Sequence, residues 1–220
     1  MTAFSPTRQQ LLDVYRGMLA TYGPQQWWPA DSAFEVVVGA VLTQNTNWSN
    51  VERAIANLRQ ADALSLSAIQ RLPREQLAQL IRPAGYYNLK TQRLLALCDY
   101  LSACQSLQSL AELPLDEARS GLLSVWGIGP ETADDILLYA LDRPVFVIDA
   151  YTRRLLVRLG LAAGRESYED LRRGFERALP PDVALFKQYH ALLVEHAKRV
   201  CRKTPACESC CFASDCLQRI

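Results

Sequence analysis

The residues of this 220-residue chain that could do chemistry fall into a few short stretches. Five of its seven cysteines (Cys201, Cys207, Cys210, Cys211 and Cys216) lie within the last twenty residues. An odd count crowded in this way favours a metal or cluster site in a reducing compartment over a disulfide framework. Four thiolates in a short loop can close around one iron–sulfur cluster, and a structural zinc would use the same thiolates. Cys98 and Cys104 stand apart on a helical stretch and read as core thiols. Upstream, Leu122–Ala133 contains Gly127-Ile128-Gly129-Pro130. The glycines permit a tight turn or close backbone approach, Ile128 is an apolar plug, and Pro130 suits the first turn of a following helix. This is the pattern of a helix–hairpin–helix, whose exposed amides can hold a phosphate oxygen without reading base sequence. A plain corner between two helices would carry the same residues. Two carboxylates flank the next helix: Glu131 in its first turn, favoured there by the helix dipole, and Asp149 at the N-cap position of the helix after it. Near the N-terminus, Trp27 and Trp28 are adjacent before a helix, where tryptophans pack or stack.

The elements that must position these groups are helices. Leu11, Leu12, Tyr15, Met18, Leu19 and Tyr22 form one stripe at three- and four-residue steps, and Leu94, Leu95, Leu97 and Leu101 form another. The pattern predicts helices at about 6–22, 31–44, 48–60, 66–72, 74–82, 87–104, 115–124, 130–141, 149–159, 167–178 and 183–200, an all-α chain. Pro144-Val145-Phe146-Val147-Ile148 is β-branched and apolar, but one such run makes no sheet, and it is expected to be a buried connector. Composition is that of a soluble globular protein: 50% hydrophobic and 21% charged, with 24 Lys+Arg against 23 Asp+Glu. It should bury roughly 70% of its unfolded surface. Disorder, collagen and coiled coil are excluded, and nothing approaches the ~20 apolar residues of a membrane helix. No signal-peptide pattern opens the chain, so the cytoplasm is the expected compartment. A net charge of +1 is neutral on nucleic acid as a partner, because whole-chain balance can hide a local basic face such as Lys198, Arg199, Arg202 and Lys203.

Gly-Ile-Gly-x-x-Thr-Ala, a helix, and then Val147-Ile148-Asp149-Ala150-Tyr151 together resemble the endonuclease III, or helix-hairpin-helix-GPD, superfamily of DNA glycosylases. Phe34–Thr46, Gly85-Tyr86-Tyr87-Asn88-Leu89-Lys90 and the C-terminal cysteines are similar to the same family, in the same order. The resemblance implies two helical lobes with a cleft: a six-helix lobe at 28–144 with the hairpin, and a lobe of 1–27 plus 145–220 with a [4Fe–4S] loop. It places Asp149 at the crossing of the two and makes it the catalytic carboxylate, which stabilises the cationic sugar and orients water. Members that also cut the strand carry a Schiff-base lysine where this chain has Glu131, and a carboxylate makes no imine. Glu131 is then a structural acid or, more weakly, an extra base. Hairpin residues Gly127, Ile128, Gly129 and Thr132 become the phosphate-binding group. Cys201-x5-Cys207-x2-Cys210-x5-Cys216 resembles the family's cluster loop with one residue fewer in the first gap, and implies those four as ligands with Cys211 spare. Zinc is the alternative occupant.

Trp27-Trp28-Pro29, followed by Gly39-Ala40-Val41-Leu42-Thr43-Gln44-Asn45-Thr46, is similar to the 3-methyladenine DNA glycosylase III branch. There the tryptophans imply a pocket that attracts a cationic alkylpurine. Gln44 and Tyr86 match positions that fill the gap left by a flipped nucleotide. The implied function is base-excision repair by a monofunctional DNA N-glycosylase: a hydrolase that binds duplex DNA containing a damaged base and acts as a monomer, associated with the nucleoid if bacterial. Alternatives are an endonuclease III-like glycosylase and abasic-site lyase for oxidised pyrimidines, and a non-catalytic DNA-binding paralogue.

Overall fold

In a computed structural model, residues 4–217 are described, and among them every regular element is helical. In chain order these are α1 (Arg8–Tyr22), α2 (Ala33–Leu42), α3 (Trp48–Gln60), α4 (Leu66–Arg71), α5 (Arg74–Leu80), α6 (Tyr87–Ala103), α7 (Leu107–Glu112), α8 (Leu115–Ser124), α9 (Pro130–Asp135), α10 (Ala150–Arg158), α11 (Tyr168–Ala178) and α12 (Val183–Arg199). A 3-10 turn, Arg82–Ala84, precedes α6, a π-helical stretch, Ile136–Ala140, prolongs α9, and a second 3-10 turn covers Cys207–Ser209. No helix of the described residues is long and apolar enough to cross a membrane.

The chain divides into two compact units, one of the described residues up to Pro29 together with Pro144 onward, the other Ala30–Arg143. In the second unit α2 is apolar but for Glu35, which pairs with Arg59, and every residue from Phe34 to Leu42 is buried. It is therefore a core helix around which the others pack. Its start is fixed by Ser32, whose hydroxyl accepts from the Glu35 amide. In the first unit an aromatic cluster forms the core: Phe146 stacks on Phe175 at 3.9 Å, and Phe186 and Tyr189 meet Phe146 edge-on.

Residues 144–148 form the expected buried connector. Its backbone is extended without a partner strand, and Val145, Phe146, Val147 and Ile148 are all buried. Two of its amides are satisfied by side chains: Phe146 N donates to Glu176 Oε1 at 3.0 Å and Ile148 N to the Tyr168 hydroxyl at 3.4 Å. One helix lies outside the expected set. α7 is six residues long and is launched by Ser106, whose hydroxyl accepts from the Ser109 amide. Too short to show a period, it was legible only through its cap.

Candidate functional site

The hairpin belongs to the Ala30–Arg143 unit, where a buried ion pair clamps its two helices. Arg119 of α8 donates to both carboxylate oxygens of Asp134 on α9, at 2.7 and 3.1 Å. The two glycines between them differ. Gly127 has φ +83°, and a Cβ built there would lie 2.4 Å from Arg93 Cγ. Gly129 has φ −94° and ψ 176°, extended backbone that any residue adopts, and a Cβ there would meet nothing within 4 Å. The fold demands glycine at 127 but not at 129, so the open face of Gly129 is free for an incoming backbone. Ile128 is the plug, 5% exposed, and its amide is taken by the Val125 carbonyl at 3.1 Å. The Thr132 hydroxyl is likewise engaged, accepting from Gln44 Nε2 at 2.9 Å. Phosphate binding by this turn would draw on the amides at the start of α9, which no side chain caps; the Ile128 amide is already used within the turn, while the Thr132 hydroxyl, which accepts from Gln44, keeps its own proton to donate.

Gln44 also donates to the Gly127 carbonyl at 3.2 Å and accepts from Arg93 NH1. It caps no helix; Thr43 ends α2. Gln44 instead locks the end of α2 to the hairpin. Tyr86 does not pack: its side chain is 70% exposed and its backbone is left-handed, at φ +45° and ψ 32°. That conformation is strained for an aromatic residue and is found where function holds it. Trp126, beside Gly127, is 56% exposed, an aromatic on the lip of the turn that sequence reasoning passed over. Glu131 is exposed in the first turn of α9. Lys90 is the buried amine of this unit. Its Nζ donates to the carbonyls of Leu42 and Ala84, both at 2.8 Å, and burial together with nearby Arg93 lowers its pKa to about 8. It is 1% exposed and caps the end of α2, so it is a structural amine.

A paired test follows from the glycines. Gly127→Ala should destabilise the protein by about 1–2 kcal/mol, because a Cβ at positive φ is strained and Arg93 must move. Gly129→Ala should leave the melting midpoint unchanged and weaken binding of duplex DNA several-fold, as read by fluorescence anisotropy.

The other unit holds Asp149, Trp27, Trp28 and the cysteines. Asp149 caps α10: Oδ1 accepts from the Thr152 amide at 2.6 Å. Oδ2 lies 3.7 Å from Nε2 of His190 on α12, and the side chains are 12% and 6% exposed. Burial pushes the Asp149 carboxyl up, but the His190 imidazole and the Thr152 amide outweigh it and hold the carboxyl below its ordinary range. The rings of Trp27 and Trp28 lie 5.5 Å apart, tilted by 45°, and both are half-buried. Lys198 Nζ sits 5.2 Å from the centroid of Trp27, so this indole already holds a cation on its face. Of the anticipated basic face, Lys198 is thus turned to Trp27, and Arg199 pairs with Glu195 and covers the Tyr22 ring.

Cys201, Cys207, Cys210 and Cys216 line one small pocket, with Leu155, Val200 and Phe212 among its apolar walls. Cys211 is exposed and faces a separate groove beside α1. Donors point at the sulfurs: Arg158 NH1 reaches Cys201 Sγ at 3.2 Å and Phe212 N reaches Cys210 Sγ at 3.4 Å. Arg158 is 8% exposed, and its other acceptors are the carbonyls of Arg202 and Lys203. A guanidinium buried among neutral groups asks for negative charge nearby, and thiolates would supply it. Among the described residues no three His, Cys, Asp or Glu side chains stand close enough to hold a single metal ion.

The fold and the hairpin are those of a helical DNA-repair glycosylase. Residues 38–181 match the HhH-GPD superfamily base excision DNA repair protein family, and the chain belongs to it. It is 45% identical to a candidate DNA repair glycosylase of Methanocaldococcus jannaschii (MJ1434) over 214 residues, covering 96% of this chain and 97% of that one. It is similar to the structure of the Helicobacter pylori 3-methyladenine DNA glycosylase MagIII bound to 1,N6-ethenoadenine, with a TM-score of 0.74 and 32% identity over 87% of this chain and 97% of that one. A non-covalent endonuclease III–DNA complex shares the fold, with a TM-score of 0.80 at 22% identity over 96% of each chain.

Proposed function

We propose that this protein is a monofunctional DNA N-glycosylase that excises alkylated purines from duplex DNA. The observation that carries the reading is Glu131: it stands at the family's imine-forming position, a carboxylate offers no nucleophilic amine, and Lys90 is buried as a helix cap. The likeness to a 3-methyladenine DNA glycosylase supports the choice of a positively charged base, which would have to displace the Lys198 ammonium from the face of Trp27.

In this mechanism the flipped base enters against Trp27 and Trp28 while Gln44 and Tyr86 fill the gap in the stack. Gln44 must first release Gly127 and Thr132, so its insertion would also loosen the hairpin. The C1′–N bond breaks and its electron pair leaves with the base. An alkylpurine carries a positive charge before cleavage and leaves neutral, so little acid catalysis is needed. The Asp149 carboxylate stabilises the cationic sugar, water forms the new C1′–O bond, and its proton passes to Asp149 or solvent. Glu131 plays no direct part.

Cys201, Cys207, Cys210 and Cys216 would hold a [4Fe–4S] cluster, an anionic cross-link that anchors the C-terminal loop to α10 and α12. Zinc is the alternative occupant of the same four thiols, and would draw its sulfurs to about 2.3 Å.

Single-turnover release of bases from a methylated and an oxidised duplex, each with and without alkali, tests the reading. Release of 3-methyladenine with strand breaks only after alkali is expected. Direct strand cleavage, or a complex trapped by borohydride, would instead establish a lyase for which oxidised pyrimidines are the natural substrates. DNA binding without any release would leave the non-catalytic paralogue.

A further inference from the structure

We propose that His190 is the positioning residue for the Asp149 carboxylate, holding it ionised and aimed while its other oxygen serves as a helix cap. The inference rests on the glycosylase reading of Asp149 and concerns a residue from a different helix.

The geometry divides the carboxylate between two tasks. Oδ1 is fixed by the Thr152 amide at 2.6 Å, which sets the position of the carboxyl group but leaves Oδ2 to whatever faces it. What faces it is His190 Nε2, at 3.7 Å, from the middle of α12. Tyr189, the preceding residue, is fully buried and donates its hydroxyl to the Leu11 carbonyl at 2.7 Å, so the backbone carrying the imidazole is held firmly. His190 is 4% exposed. A buried carboxylate with only one amide partner tends to take up a proton, and a protonated acid neither stabilises a cationic sugar nor orients water.

Several charged groups on the elements around the pair are engaged with other partners. On α10, Arg153 donates to the Glu166 carbonyl, Arg154 to the Cys201 and Ala197 carbonyls, and Arg158 to Cys201 Sγ. On α11, the Tyr168 hydroxyl accepts from the Ile148 amide. On α12, Glu195 pairs with Arg199. His190 Nε2, at 3.7 Å, is a side-chain nitrogen that faces Oδ2 from a helix other than the one Asp149 caps. His190 is one of only two histidines in the chain, both on α12; the other, His196, lies by Cys210.

The test compares wild type, His190→Gln, His190→Leu and Asp149→Asn in single-turnover excision of 3-methyladenine between pH 3 and 9, using the protein as purified. Removing the imidazole leaves burial of Asp149 opposed by Thr152 alone. In His190→Leu the acid limb should therefore rise by about one pH unit or more, and the neutral-pH rate should fall about ten-fold. His190→Gln, which retains a donor, should recover most of the rate with wild-type DNA affinity. An unshifted acid limb in His190→Leu, with Asp149→Asn inactive, would overturn the proposal and leave the glycosylase reading intact. Activity-independent coupling comes from melting the two single variants and the double variant His190→Leu with Asp149→Asn. The cost of removing His190 should shrink when Asp149 is neutral, whereas additive costs would overturn the proposal even if no base were released by any form.

Discussion

Asp149→Asn should fold normally and bind damaged duplex DNA with unchanged affinity, while single-turnover excision falls by about 10²–10³-fold. Asparagine separates the two roles of this residue. It caps helices about as well as aspartate, so the bond from the Thr152 amide survives and α10 starts where it did. Only the negative charge is lost, together with the capacity to take a proton from water. Asp149→Ala, by contrast, should also lose about 1 kcal/mol of stability from the missing cap. Excision by Asp149→Asn at the wild-type rate would reduce Asp149 to a helix cap. A check on the same charge needs no substrate. The carboxyl is held below its ordinary pKa in the folded chain, so its contribution to stability is present above about pH 4 and is lost as pH falls through the lowered value. Asp149→Asn should flatten that part of the stability profile.

Much of this site was legible because its residues obey local rules. Asp149 follows an extended apolar connector and opens a helix, which the N-cap preference of aspartate already marks. Gly127 and Ile128 announce a tight turn with a buried plug. What sequence could not supply is whatever depends on the direction of a side chain across separate segments. His190 lies 41 positions from Asp149, on a helix whose period says only that one face is buried, not that an imidazole on that face meets a carboxylate. The Gln44 contact with the hairpin spans 83 positions and is invisible for the same reason. Gly129 is the converse case. One explanation covers both hairpin glycines in the sequence, yet only Gly127 needs a positive φ, and a Cβ at Gly129 would meet nothing within 4 Å. The bond that the Thr132 hydroxyl accepts from Gln44, 88 positions away, is likewise invisible in the sequence. The short first cysteine gap, which departs from the family pattern, does not prevent the four cysteines from lining one pocket.

Those cysteines carry the second large effect. Cys201→Ser should lose stoichiometric iron and the broad visible absorbance, and should melt about 10 °C below wild type. The estimate takes the loss of a covalent anchor across this loop as about 3–5 kcal/mol, and each kcal/mol as about 2–4 °C for a chain of this length. Cys207→Ser, Cys210→Ser and Cys216→Ser should follow it, whereas Cys211→Ser should keep both iron and stability, because Cys211 faces the groove beside α1. This series decides the register between the adjacent Cys210 and Cys211. Arg158 supplies an independent check, since its guanidinium is buried against Cys201 Sγ without a carboxylate among its partners. If an anionic cluster provides the missing charge, removing the iron leaves a buried cation uncompensated, and Arg158→Met should cost far less stability in iron-free protein than in the loaded protein. Equal cost in both forms would mean that Arg158 serves the Arg202 and Lys203 carbonyls alone. Colourless protein with one bound zinc would assign the four thiols to a single ion instead.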